Sequence, residues 1–292
     1  IKEIKIVWYL LLFLDKQNEL FIYEDSLYTQ FNFDTQKKFE AGNATFLEKI
    51  NAETKLIESK TKMIEVSERI KTQLLVLQVL VNLDTPISSV RDSVVKRELD
   101  FNSENFSVNE NPQVKYFQDL VSSSEKQVSV NKGNYLPEFT LGYYNQSMIG
   151  NHTVNGVELY YGNGQRFQSM SATVSIPIFT KATKSKVNAA VINQEIAQTN
   201  ADYFLTQVES QYQIAVNEYL KYKSQLLYYE NNVMAQIELI IINSDKSYKS
   251  GNINTLEYIQ SLNMAIELKN KYNTTLNKYN QSIIEIEYLI GQ

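Results

Sequence analysis

The sequence has no cysteine, a single histidine (His152), four prolines and nine glycines in 292 residues. Without cysteine there are no disulfides, no thiolate nucleophiles and no zinc–thiolate sites, and one imidazole leaves little room for acid–base or metal chemistry. So few breakers give too little punctuation for a β-sandwich or a doubly wound α/β fold. Neither sign of charge dominates, with 28 lysines and arginines against 33 aspartates and glutamates, and a net −5 is not the footprint of a nucleic-acid binder. No stretch reaches the roughly 18 apolar residues of a membrane-spanning helix. The longest, Val7–Leu14, follows Lys2, Glu3 and Lys5 and lacks a small-residue cleavage site after it, so it reads as a buried helix face rather than a leader. Nowhere do a nucleophile, a base and an orienting group converge, so no enzyme and no cofactor are expected.

What is present is helix. Hydrophobic residues make up 43% and charged residues 21%, which excludes wholesale disorder. From Val187 to Ser250 there is neither proline nor glycine, so a single helix of roughly 100 Å is expected at 1.5 Å per residue. Within it Val208, Tyr212, Ala215, Tyr219, Tyr222, Leu226, Tyr229 and Val233 recur in steps of four and three, the seam of an antiparallel coiled coil. Beyond Gly251 a second helix carries Tyr272, Leu276, Tyr279, Ile283, Ile286 and Ile290 at the same spacing. Gly42 plays the same part earlier: a helix ends at Ala41, glycine takes the left-handed position, and another helix runs from about Thr45 to Leu83.

Between these two helical hairpins the period changes. Residues 85–111 hold no helical stripe and read as an irregular connector. Asn111 and Pro112 then signal a helix start, reaching about Lys132. In the segment Phe167–Phe179, Met170, Ala172, Val174, Ile176 and Ile178 alternate with Ser169, Ser171, Thr173 and Ser175, a strand. Its partner lies in Tyr135–Ile149, where Phe139, Leu141 and Tyr143 alternate with Glu138, Thr140 and Gly142. Gly150, Gly156, Gly162 and Gly164 punctuate a loop between them. Two strands alone are marginal in water. They either pack their apolar face on the helices or join a closed barrel whose apolar face meets lipid. The divisions expected are therefore 1–84, 85–111, 112–134, 135–180 and 181–292.

The two glycine turns also align with each other. Phe39-Glu-Ala-Gly42-Asn43 through Leu47-Glu48 and Ile50 lies over Tyr248-Lys-Ser-Gly251-Asn252 through Leu256-Glu257 and Ile259, with Gly, Asn, Leu, Glu and Ile identical. The register continues upstream without a gap, pairing Val7 with Val216 and Leu11 with Leu220. Such a repeat gives the first hairpin a strand pair and helix of its own, so about a hundred further residues are expected upstream in an N-terminally truncated two-repeat fold.

These residues resemble the outer-membrane efflux protein family, the TolC-like channels. The resemblance is carried by Tyr135-Leu136-Pro137 with Phe139, Leu141 and Gly142, by Ile176-Pro177-Ile178-Phe179, and by the two Tyr/Phe-x-x-Gly-x-x-x-x-Leu/Ile-Asp/Glu turns, in that family's order. It is most similar to the heavy-metal efflux branch (CusC- and CzcC-like), including forms joined to an RND pump. The resemblance implies a homotrimer with a β-barrel in the outer membrane and an α-barrel crossing the periplasm. It implies a passive, non-enzymatic duct working with a periplasmic adaptor (membrane fusion protein) and an inner-membrane RND pump, in contact with outer-membrane lipid and not with nucleic acid.

By the same resemblance Glu48, Glu257 and Tyr248 sit at the periplasmic entrance or gate, and the turns Gly42-Asn43 and Gly251-Asn252 meet the adaptor. Each glutamate also lies in a first helical turn, where it favours the helix dipole by about 0.3–1 kcal/mol. Where the family's type member carries an arginine after the second glycine this chain has Ile253, which puts a gate held by that arginine in doubt. The competing readings are a type I protein-secretion duct, which has the same fold, and a soluble coiled-coil scaffold.

Overall fold

The computed structural model describes residues 1–87, 96–99 and 108–291. It divides into two compact units, residues 1–111 with 207–292, and residues 112–206.

In the first unit, α1 (Lys2–Glu40) and α2 (Phe46–Leu80) form one antiparallel hairpin. The buried residues of α1 include Val7, Leu11, Leu14, Phe21, Tyr28 and Phe31, the four-and-three spacing of a coiled-coil seam. The apolar run near the N-terminus therefore faces protein, with Leu14 fully buried. α2 offers a thinner stripe, Ala52, Ser59 and Val66 at seven-residue intervals, and its small residues let α1 approach closely. The expected end at Leu83 is corrected to Leu80, because Asn82 takes the left-handed conformation (φ 52°) and closes the helix as a glycine would.

The helical run that was expected to be uniform from 181 to 250 is interrupted. It consists of α4 (Lys181–Tyr228), a π-helical turn at Tyr229–Val233, and α5 (Met234–Lys249). The wider turn takes one extra residue. A heptad continued from Leu226 would bury positions 236, 243 and 247; the buried residues are Ile237, Ser244 and Tyr248, one later in each case. α6 (Thr255–Leu289) packs against both α1 and α5 and is buried along its length, from Thr255, Tyr258 and Leu262 to Ile283, Ile286 and Leu289.

Of the connector 85–111, residues 88–95 and 100–107 lie outside the described residues. The piece at 96–99 is strapped to α6: the backbone N–H of Arg97 donates to Asn280 Oδ1 (3.0 Å), Tyr279 donates its hydroxyl to the Arg97 carbonyl (3.1 Å), and the Arg97 guanidinium pairs with Glu287. Lys96 pairs at 2.9 Å with Glu230 inside the π turn. A 3-10 turn at Val108–Glu110 follows.

The second unit holds α3 (Pro112–Gly133), four strands and the first part of α4. Phe117 lies tilted against Phe204 with ring centroids 4.6 Å apart, and Val114, Val128 and Ala190 are buried. Strand β1 (Glu138–Gln146) pairs antiparallel with β4 (Phe167–Ser175), from Glu138 opposite Ser175 to Gln146 opposite Phe167. Both are shorter than the spacing suggested, and Ile176-Pro177-Ile178 lies beyond the ladder because proline cannot donate to it. The glycine-rich segment expected as a loop is corrected: it is a second hairpin, β2 (Gly150–Val154) with β3 (Val157–Tyr161). Its turn is Asn155-Gly156, with φ of 53° and 81°, the combination a two-residue hairpin turn requires. The long pair does not rest on the helices. Phe139, Leu141 and Tyr143 stand opposite Val174, Ala172 and Met170 on one face, and that face is open, with Leu141 86% and Met170 85% exposed.

Candidate functional site

The two tips of the helical hairpins have the same backbone, built the same way twice. At the first, Gly42 (φ 75°) follows the last turn of α1; its N–H bonds to the Phe39 carbonyl and the Asn43 N–H to the Lys38 carbonyl. At the second, Gly251 (φ 76°) bonds to Tyr248 and Asn252 to Ser247 in the same pattern, the glycine-terminated closure that satisfies two orphan carbonyls. An added Cβ would meet nothing within 4 Å at either glycine, so it is the backbone angle that requires them.

Both following helices start with a capping box. Thr45 caps α2: Glu48 N–H donates to Thr45 Oγ1 (3.2 Å) while Thr45 N–H donates to Glu48 Oε2 (2.7 Å). Asn254 caps α6: Glu257 N–H donates to Asn254 Oδ1 (2.9 Å) while Asn254 N–H donates to Glu257 Oε2 (2.9 Å). The two sequence-predicted carboxylates are thus engaged by their own helix ends. The signature was readable in Thr45-x-x-Glu48 and Asn254-x-x-Glu257, and Thr45 and Asn254 are the residues that the sequence reasoning passed over.

The tips differ in one respect. Thr255 Oγ1 donates to Glu48 Oε1 at 2.8 Å, tying the first residue of α6 to the start of α2. Glu48 therefore accepts bonds at both oxygens. The backbone N–H of Thr45, then the hydroxyls of Thr255 and Thr45, hold its carboxyl below the usual carboxylate range. Among the described residues the Glu257 carboxylate accepts only from its own capping box.

Tyr248 is buried one turn before the second glycine. Its ring stacks on Tyr258 (centroids 4.5 Å, planes 7° apart), tilts against Phe31 (5.7 Å), and has the Lys38 ammonium 4.0 Å from its centroid. Its hydroxyl is buried and has no hydrogen-bond partner among the described residues. Burial pushes the neighbouring Tyr258 phenol up to about 12. Ile253 packs into this same cluster, so the position where the family's type member has arginine adds apolar surface here.

A second polar layer joins α1 to its neighbours. Tyr28, fully buried, donates to Asn263 Oδ1 (2.8 Å), and Gln17 Nε2 donates to Asn270 Oδ1 (3.0 Å). Glu24, 2% exposed, meets Lys62 Nζ at 2.7 Å, and Ser59 donates to Asp25 (2.9 Å). Burial, followed by Glu24 and Glu58, raises the Tyr28 phenol well above its ordinary value. Among the described residues no three His, Cys, Asp or Glu side chains gather as metal ligands, and no helix is long and apolar enough to cross a membrane.

No family profile matches the sequence, and no curated protein matches it by sequence. Solved structures do match. The outer membrane protein VceC from Vibrio cholerae superposes with a TM-score of 0.81 at 13% identity, covering 99% of this chain and 69% of that one. For the outer-membrane channel OprN the TM-score is 0.86 at 11% identity, over 99% of this chain and 65% of that one. For CusC, described in terms of folding and transmembrane channel formation, it is 0.80 at 12% identity, over 99% and 67%. The chain thus spans about two thirds of the length of the structures it matches. The match runs over nearly the whole chain, and the chain has the fold of the TolC-like outer-membrane channels.

Proposed function

We propose that this chain is the larger part of one protomer of a passive outer-membrane export duct. The observation that carries the reading is the open apolar face of β1 and β4. Two strands with Leu141, Met170, Phe139 and Val174 in water are marginal alone, and among the described residues these four side chains stay exposed. A barrel closed by further strands, with that face toward lipid and Thr140, Ser171 and Thr173 toward a wet lumen, removes both the unpaired edges and the exposed apolar surface. Three copies of a protomer that also carries the strand pair expected upstream supply such a closure around one axis.

The helical hairpins then extend into the periplasm, with the two glycine tips at the far end. There Glu48, Glu257 and Tyr248 form the entrance, and Gly42-Asn43 with Gly251-Asn252 meet a periplasmic adaptor. Three protomers bring several carboxylates to one constriction, which favours cations in it. This, with the resemblance of Ile176-Pro177-Ile178-Phe179 and the tip turns to the heavy-metal efflux branch, supports an RND-type tripartite assembly that exports metal cations.

The test is fractionation of the natural gene product in a Gram-negative host. Recovery from the outer-membrane fraction only with detergent, as a species that cross-links to a trimer, is the expected result. A monomer dispersed in aqueous buffer without detergent defeats the duct and leaves the soluble coiled-coil scaffold.

A further inference from the structure

Charge in this protein is segregated. The whole chain is net −5, yet between Lys126 and Gln194 it carries Lys126, Lys132, Arg166, Lys181, Lys184 and Lys186 against only Glu138 and Glu158. The fold gathers most of these cations at one end of the second unit. β1 begins opposite the end of β4, with Glu138 paired to Ser175. α3 ends at Gly133 just before that point and α4 begins at Lys181 just after it, so Lys132, Lys181, Lys184 and Lys186 flank the base of the strand pair. Asn131 and Lys186 line one groove of about 590 Å³ between α3 and α4, which places the end of one helix beside the start of the other.

All four lysines are exposed, and none has an ion-pair partner among the described residues. Three lie within the first two turns of α4, where no acidic residue occurs in the first turn. That is the reverse of α2 and α6, which place Glu48 and Glu257 there. Cations at that end oppose the helix dipole and repel one another, and no ion pair among the described residues offsets this local cost. Immediately beyond them stands an apolar band: Leu136, Ile176, Ile178 and Phe179 are exposed, Phe179 to 91%.

A cationic cluster bordering an apolar band has the layout of a membrane interface, with acyl chains on one side and phosphates on the other. We propose that Lys132, Lys181, Lys184 and Lys186 bind the anionic headgroups of phospholipids in the leaflet that the strand pair enters from the helical side. The inference rests on the duct reading, because the strand pair must be in a bilayer for the lysines to reach its surface. Phosphate oxygens supply the counter-charge that the protein lacks here, and long lysine stems reach them from helix ends set back from the hydrocarbon.

The experiment is vesicle flotation of the full 292-residue chain, with vesicles of phosphatidylcholine alone and of phosphatidylcholine with added phosphatidylglycerol. Binding to the neutral vesicles tests insertion of the strand pair, and the increment on the anionic ones tests the lysines. At low salt the increment is expected to exceed tenfold and to disappear at about 0.5 M salt. The triple variant K181Q/K184Q/K186Q should bind neutral vesicles unchanged and lose all of the increment but the share of Lys132, at about fivefold per lysine, while K181R/K184R/K186R keeps it. Equal increments in wild type and the glutamine variant, with the same helix content by circular dichroism, overturn the inference and leave the duct reading standing. So does neutral binding with no increment. Binding to anionic vesicles alone supports the lysine surface without insertion of the strand pair, and binding to neither overturns the inference.

Discussion

The duplicated tips provide an internal control for one hydrogen bond. Glu48 and Glu257 make the same capping box, but only Glu48 also accepts from the opposite tip, through Thr255 Oγ1 at 2.8 Å. Replacing either glutamate by alanine removes a box, which costs about 1 kcal/mol. Replacing Glu48 also removes a bond to a charged acceptor. That bond is half-exposed, so it contributes about 0.5–1 kcal/mol rather than the larger figure of a buried charged bond. The readout must be local, since helices of this length open segment by segment. Amide exchange at Lys49 and Tyr258 reports it, because these N–H groups close the first turn onto Thr45 and Asn254.

Glu257→Ala is expected to speed exchange at Tyr258 about fivefold, and Glu48→Ala to speed it at Lys49 roughly 10- to 30-fold. In a Thr255→Val background the effect of Glu48→Ala should fall to that of Glu257→Ala. Acid gives the same answer by another route. The Glu48 carboxyl is held below its ordinary value of 4.5 in the folded protein, so its stabilisation is complete above that value and is lost as pH falls through the lower folded one. Equal acceleration at the two tips, or a difference that survives Thr255→Val, would show that the cross-tip bond contributes nothing.

The buried hydroxyls make opposite predictions. Tyr248→Phe removes an unpartnered buried hydroxyl and should leave thermal stability unchanged or raise it by about 1 kcal/mol, whereas Tyr28→Phe strands Asn263 and should lower it by about 1–2 kcal/mol. Gly42→Ala and Gly251→Ala should each cost about 1 kcal/mol and by equal amounts, since only the backbone angle is at issue; exchange at Asn43 and Asn252 measures it. Deleting Asn232 should convert the π turn to ordinary helix and keep Ile237, Ser244 and Tyr248 on the seam, whereas deletion from a regular helix turns everything beyond it by about 100°. Lost amide protection in α5 after that deletion refutes the phase argument.

Where the chain turns was legible because it has so few residues that can turn it. Gly42 and Gly251 stand almost alone in long breaker-free stretches, and both helix ends fall beside them. The strand pair was legible from alternation, and its register sets the expected apolar residues opposite one another. The second hairpin was equally available in Val154-Asn155-Gly156-Val157, but four glycines in one segment were read as a loop. The π turn left no such mark: Tyr229 and Val233 fit the heptad, and only packing shows that the seam beyond them has moved. Nor could the sequence show that Thr255 reaches Glu48, since that contact depends on how α1 and α6 bring the two tips together.

The repeat also explains why two tips with one backbone are not interchangeable. The seam of α1 and α2 runs without a bulge from Val7 to Phe31. The equivalent run of the second hairpin is shifted by one residue at Tyr229–Val233, and that turn is held on both sides, by the Lys96–Glu230 pair and by Tyr229 against the Tyr272 ring. The shift brings Tyr248 rather than residue 247 into the seam, where it stacks on Tyr258 and meets Phe31 of the first hairpin. A lysine of that hairpin, Lys38, lies over the same ring. The same packing seats Thr255 beside Glu48. The π turn some twenty positions before the tip therefore decides which side chains fasten one hairpin to the other, while the turns themselves, fixed by glycine and capping box, stay alike.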